Sequence, residues 1–213
     1  WAEPDETIVS MSTAAARDAL SAAGMDVDQI DAVVLATSSQ MVLGPSAGAV
    51  VATELGMQNT AAYDVSAGCA GFCYALGNAA SLVRAGQARN VLVIGVERLS
   101  DLLDPTDRTC AFIFADGAGA AIVGPAEEEG IGPVAWGSDG SQTDAIKQDK
   151  DFQQYFGEVD AALAGGPTPV RPYIRMNGAA VFRWAVTFLE TACKDALAKS
   201  GVTVDDLDAF VPH

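Results

Sequence analysis

The stretch YDVSAGCAGFCYALGNAASLVRAG, Tyr63 to Gly86, sets an apolar strand, a cysteine bracketed by glycines and a helix in direct succession. AAYDVS has the make-up of a buried strand, and Gly68 and Gly71 permit the tight geometry that joins it to the helix. The helical pattern then runs until Gly86. A strand passed into a helix through a glycine turn is the building unit of a layered α/β fold.

The flanks repeat this alternation. Thr7 to Ala23 reads as a helix, with Ile8, Met11, Ala15, Ala19 and Ala22 spaced for one face and Gly24 as its stop. DAVVLAT, Asp31 to Thr37, is a buried strand, and Pro45 opens a helix that runs to Gly56. NVLVIGVE, Asn90 to Glu97, is apolar almost throughout, as expected of a strand covered on both faces. TCAFIFADGAGAAIVG reads as two strand-like runs meeting in a hairpin at Asp116–Gly117. Residues 137–175 are polar and rich in Gly and Pro, which predicts a long surface excursion with one short helix. From Gly178 to Ser200 the helical pattern returns, with Val181, Trp184, Phe188, Ala192 and Ala196 on one stripe.

A repeat is hidden in this order. Shifted by 177 residues, Asp18–Ala36 lies over Asp195–His213 with nine of 19 positions identical. Both segments read as a helix end, a glycine stop, a short acidic loop and an apolar strand. Convergence on a common helix–loop–strand unit is the plainer explanation. Duplication of a whole domain is the sharper one, with the second copy barely begun at residue 213. On that reading the chain is a fragment, or half of a nicked molecule, and a partner piece is expected to cover the apolar faces left open.

Composition narrows the function classes. The chain has 213 residues, half of them hydrophobic, enough for one large α/β domain or a compact pair. Its formal net charge of −16 argues against nucleic acid, whose affinity comes largely from clustered Lys and Arg. The longest apolar runs are strand-length, so no membrane span is expected. No secretory signal is visible, which places the thiols in a reducing, cytoplasmic setting. Cys69, Cys73, Cys110 and Cys193 form no CxxC pair and the single histidine is His213, so no metal site is expected.

A lone cysteine is ordinarily a small buried hydrophobe. Three features favour chemistry at Cys69: the flanking glycines, its place at the end of a strand where α/β sites lie, and the helix that starts behind it. Free amides and the positive end of a helix dipole favour a thiolate, and the same amides suit an oxyanion during acyl transfer. Cys73, one turn on, lacks this setting and is expected in the core. His213 ends the run DAFVPH, where a strand would carry it to a sheet end opposite DAVVLAT. There an imidazole could donate a hydrogen bond or move a proton at neutral pH.

Taken together, DVSAGCAGFCYAL, VLVIGVERLSDLLDPTDR, FIFADGAGAAIVG, MNGAAVFRWAV and the terminal DAFVPH resemble the β-ketoacyl-ACP synthase III family of the thiolase superfamily. The resemblance implies a five-layered αβαβα fold of two similar halves. Residues 1–125 would be the first half with the nucleophilic cysteine, 126–177 a connecting excursion and 178–213 the truncated start of the second half. It implies condensation of an acyl-CoA primer with malonyl-acyl carrier protein through an acyl-cysteine, in a cytoplasmic homodimer with no resident cofactor.

By the same resemblance Cys69 matches the nucleophile and His213 the catalytic histidine. Arg108 matches a CoA-contacting arginine, and Gly178 and Phe182 match positions lining the pantetheine tunnel. Arg183 matches a basic position where the acidic carrier protein docks, and Gly44 stands where the family closes its acyl pocket across the dimer. A glycine there has no side chain to block longer or branched primers, although a loop glycine chosen for its backbone explains it equally well. The family's catalytic asparagine and glycine-rich C-terminal turn would lie beyond His213, in a missing C-terminal segment of the same protein. The chain alone is therefore expected not to condense substrates. Other thiolase-fold readings use the same Cys and His: a hydroxymethylglutaryl-CoA synthase, a chalcone-synthase-like enzyme or a plain acyltransferase. A non-catalytic scaffold subunit is the alternative from another class.

Overall fold

Helix α1 spans Ile8–Ala23 because each end is closed by local chemistry. The Thr7 hydroxyl accepts the Ser10 amide at 3.0 Å while the Ser10 hydroxyl accepts the Thr7 amide at 2.8 Å. Such a cap contributes about 1 kcal/mol. Gly24 ends the helix in the left-handed region, φ 62°.

The computed structural model describes residues 1–213. They divide into two units: Trp1–Arg98 with Ala115–Gly132 and Leu207–His213, and Leu99–Phe114 with Pro133–Asp206.

The first unit is built on strands β1 (Ala32–Ala36), β2 (Ala61–Val65), β3 (Val91–Arg98) and β4 (Asp116–Val123), in the order β2-β1-β3-β4. β1 runs parallel to β2 and β3, and β4 closes the sheet antiparallel to β3. Helix α2 (Ala47–Glu54) and helix α3 (Gly71–Arg84) complete three layers. Side chains alternate across the strands. Val33, Leu35, Leu92 and Ile94 pack with Ala16 and Leu20 of α1 and Val51 of α2. Val34, Val91 and Val93 pack on Ala75 and Ala79 of α3. All five residues of β1 are buried, which is why DAVVLAT shows no polar alternation. Each fully buried Val or Leu contributes about 1.5–3 kcal/mol.

In the second unit, β5 (Ile146–Gln148) pairs antiparallel with β6 (Ile174–Met176). Helix α4 (Phe152–Leu163) is closed by the Asp151 carboxylate, which accepts the Gln154 amide at 2.7 Å. Helix α5 covers Gly178–Ser200. The excursion thus holds more order than its composition suggests, because capping chemistry and a strand pair are carried by few residues.

Three local expectations fail. No hairpin forms at Asp116–Gly117: Thr109 to Phe114 folds into successive turns, and Asp116 and Gly117 are already in β4, opposite Arg98 and Glu97. Bonding to β3 gives β4 a longer ladder than a local partner would. Cys73 is exposed, not core, because α3 turns that face away from the sheet. Residues 207–213 form no strand; they find no neighbour to satisfy a ladder, and a single strand has no stability of its own. The repeat is nonetheless real in the backbone. α1 and α5 end 177 residues apart, at Gly24 (φ 62°) and Gly201 (φ 67°), and a 3-10 turn follows each, at Val27–Gln29 and Val204–Asp206. The bond from the Met25 amide to the Leu20 carbonyl recurs between Val202 and Leu197.

Candidate active site

Cys69 sits in a short 3-10 turn, Gly68–Ala70, between the end of β2 and the start of α3. Gly68 has φ 53°, a conformation that a side chain would strain. Gly71 allows α3 to close on β1, since a Cβ there would lie 3.2 Å from that of Ala36. Gly95 on β3 does the same for Phe72, whose ring would meet a Cβ at 3.0 Å. These small residues seat the cysteine turn at the carboxyl ends of three parallel strands, where Ala36 pairs with both Val65 and Gly95.

The residue is exposed. Ala70, as N-cap, offers no side chain to the first turn of α3. The thiol is nevertheless pushed up: desolvation leads, its own amide opposes, and the Glu97 carboxylate adds to the rise. The low-pKa thiolate expected from the helix start is therefore not what this environment favours. The amides remain suited to stabilising an oxyanion.

Glu97 went unnoticed in the sequence. Its carboxylate accepts the Ser38 amide at 2.8 Å and the hydroxyls of Ser39 and, at 3.5 Å, Thr37. The Ser39 hydroxyl in turn accepts the Arg98 amide at 2.8 Å. The polar run TSSQ directly after a buried strand was the available signal. Asp64 is a second such residue: from β2 its carboxylate accepts the Ala47 and Gly48 amides, at 2.8 and 2.7 Å, and fixes the start of α2.

Of the other predicted residues, Gly44 lies in a loop where a Cβ would meet nothing within 4 Å, next to exposed Met41, Val42 and Leu43. His213 is exposed on the unpaired terminal segment; no hydrogen bond joins it to Cys69, and it is not among the groups acting on that thiol. In the second unit, Arg108 is exposed on the turn after Asp107, and Gly178, Phe182 and Arg183 lie exposed on the first turns of α5. Arg183 borders a surface cleft shared with Asp139, Trp184 and Phe188. There the Trp184 indole donates to Asp139 at 2.9 Å and stacks on Phe188 at 5.1 Å. α5 buries none of its residues, and Phe182 and Val186 are 70% and 62% exposed. No group of three or more His, Cys, Asp and Glu is placed to hold a metal ion, and no helix is long and apolar enough to cross a membrane.

Comparison with known proteins agrees with this geometry. The family model for 3-oxoacyl-[acyl-carrier-protein] synthase III matches residues 63–140, which include the Cys69 turn. The chain is similar to a mycobacterial β-ketoacyl-[acyl-carrier-protein] synthase III of Mycobacterium avium, 46% identical over all of this chain and 61% of the relative. It is similar also to β-ketoacyl-[acyl-carrier-protein] synthase III 1 of Streptomyces coelicolor, 46% identical over 100% of the chain and 63% of that protein. Among solved structures, the priming β-ketosynthase of a polyketide biosynthetic pathway superposes with a TM-score of 0.92 at 46% identity, over 100% of this chain and 61% of its own. The synthase III of Thermus thermophilus gives 0.85 at 36% identity, over 100% and 63%. The chain spans about three fifths of the length of these proteins. The thiolase-like α/β architecture expected from the motifs is borne out.

Proposed function

Since this chain belongs to the 3-oxoacyl-ACP synthase III family, we propose that the protein containing it joins an acyl-CoA primer to malonyl-acyl carrier protein, giving 3-oxoacyl-carrier protein and starting fatty acid or polyketide chains. The observation that carries the reading is the exposed Cys69 on a glycine-shaped turn at the start of α3.

In the first half-reaction the Cys69 sulfur attacks the thioester carbonyl, its amide holds the oxyanion, and the CoA sulfur leaves with a proton. Because the site keeps Cys69 a thiol, that proton must be removed as the new C–S bond forms. Imidazole is the side-chain group suited to this at neutral pH, and His213 is the only one in the chain. The full-length protein would have to order the 207–213 segment beside the cysteine turn. In the second half-reaction malonyl-carrier protein loses carbon dioxide, His213 hydrogen-bonds the developing enolate oxygen, and the carbanion displaces the Cys69 sulfur from the acyl group.

Arg108 would contact CoA, Gly178 and Phe182 would line the pantetheine passage, and Arg183 would meet the acidic carrier protein. Acyl-CoA enters as substrate, with no resident cofactor. The assembly is a cytoplasmic homodimer in which Gly44 leaves the primer pocket open to longer or branched acyl groups. The exposed apolar face of α5 is covered, on this reading, by the remaining length that the relatives possess.

The test is intact-mass and peptide analysis of the full-length protein after incubation with acetyl-CoA or isobutyryl-CoA. One acyl mass should appear on the Cys69 peptide and vanish on addition of malonyl-carrier protein. A Cys69→Ala protein that still acylates and condenses would refute the scheme.

A further inference from the structure

Arg108 stands on a turn that is itself part of no helix or strand. Asp104 and Asp107 shape that turn locally. The Asp104 carboxylate accepts the Thr106 amide and hydroxyl at 3.0 and 2.7 Å, and the Asp107 carboxylate accepts those of Thr109 at 2.9 and 2.6 Å. These bonds give the turn its shape but do not fix it to anything else.

Arg175, on β6, does fix it. Its Nη1 donates to Asp104 at 3.1 Å and Asp107 at 2.9 Å, while its Nε donates to Asp149 at 3.1 Å. The guanidinium also lies 5.4 Å from the centre of the Tyr173 ring. Two further bonds tie the same strand region to the segment. Arg171 donates to the Asp101 carbonyl at 2.8 Å, and the buried Cys110 thiol donates to the Ile174 carbonyl at 3.6 Å. One cation therefore gathers three carboxylates, two of them about 70 residues away along the chain and the third 26 away. Without it Asp104, Asp107 and Asp149 would repel one another and the turn would lose its anchor. Lysine could not replace it fully, since a single ammonium lacks the planar fork that reaches all three.

We propose that Arg175 is a positioning residue for the nucleotide end of acyl-CoA: it locks the Asp104–Cys110 turn so that Arg108, whose side chain bonds to nothing in the chain, is held out for the phosphates. The inference rests on the reading of Arg108 given above. It assigns Arg175 no contact with the substrate.

The experiment uses the full-length protein and two acyl donors, acyl-CoA and acyl-pantetheine, which lacks the nucleotide and its phosphates. Arg175→Gln should raise KM for acyl-CoA about tenfold with kcat within about twofold, and leave acyl-pantetheine kinetics unchanged. Arg108→Gln should behave alike, the double variant should add little, and Arg175→Lys should recover part of the loss. Equal damage with both donors would reduce Arg175 to a purely structural role and overturn the inference. An unchanged KM for acyl-CoA would overturn it as well, while the functional reading stood. Wild-type protein that accepts an acyl group from neither donor would overturn both. Should Arg175→Gln fail to fold, Asp107→Asn, which keeps the guanidinium paired with two carboxylates, must show the same donor-selective rise; equal KM values with wild type would count against the proposal.

Discussion

The Ser38 amide donates to the Glu97 carboxylate at 2.8 Å, tying the loop after β1 to the end of β3. The same carboxylate raises the Cys69 thiol, second to desolvation among the upward influences. One acidic group therefore both braces the strand ends and adds to the rise of the thiol. Glu97→Gln removes the charge, so the thiol should fall towards its ordinary range while desolvation keeps it above. Iodoacetamide labelling of the Cys69 peptide near pH 8 should quicken about threefold, following the thiolate fraction. Stability should drop by about 1–3 kcal/mol as the bonds from Ser38 and Ser39 weaken. An unaltered labelling rate would show that the carboxylate does not act on the sulfur.

Alkaline stability depends on the same kind of group. Loss of hydration raises the thiols of both exposed Cys69 and buried Cys110, so each binds its proton more tightly folded than unfolded. The unfolded chain then holds fewer protons between the ordinary and the raised values, and stability declines as pH rises through the folded pKa. Below the ordinary thiol range their contribution is complete. Cys110→Ser should flatten the fall in urea midpoint above pH 9, the usual thiol value.

Acid behaves oppositely at Asp31. Its carboxylate accepts the Asn90 and Arg89 amides, at 2.9 and 2.6 Å, and these bonds hold it below the ordinary carboxylate range. The stability it confers is present above the unfolded value and is lost as pH falls through the folded one. The gap in unfolding midpoint between wild type and Asp31→Asn should therefore be open at pH 7 and close progressively in acid.

Much of the first unit was legible because its signals are local. Gly24 stops α1, the apolar run of β3 needs cover on two faces, and Gly68 and Gly71 mark the cysteine turn. What was missed is non-local. Nothing near Asp116 says that its strand prefers β3 to the adjacent run, since that choice depends on a ladder reaching back to Val91. Glu97, Asp64 and Arg175 act on partners 16 to 71 residues away, which no spacing rule displays. Cys73 misled because helical periodicity gives a face but not the direction in which that face turns.

Gly48 shows how closely α2 lies on the sheet. A Cβ there would stand 3.1 Å from Asp64 Oδ1 and 3.2 Å from the Tyr63 carbonyl oxygen. Alanine in place of a helical glycine ordinarily gains about 1 kcal/mol. At this position the backbone of β2 cannot retreat and the Asp64 bonds must stretch, so overpacking of about 1–3 kcal/mol should win. Gly48→Ala should lower the urea midpoint, and Asp64→Ala should do so too by leaving two amides unbonded. A stabilised Gly48→Ala would mean that the helix can lift without loss.

The two copies of the helix-end motif offer a controlled comparison. Gly24 and Gly201 adopt nearly the same left-handed geometry, φ 62° and 67°, and alanine at either should incur about 1–2 kcal/mol of local strain. The readouts should differ. Gly24 leads through a 3-10 turn into β1, whose residues are all buried, so Gly24→Ala should lower the global unfolding free energy by nearly the whole strain. Gly201 leads into residues 202–213, none buried, so in this chain Gly201→Ala should only fray the end of α5. Faster hydrogen exchange at the Val202 amide, with the urea midpoint unmoved, is the expected signature. Equal global costs in the isolated chain would contradict this account, because they would require residues 202–213 to be bound into the fold here.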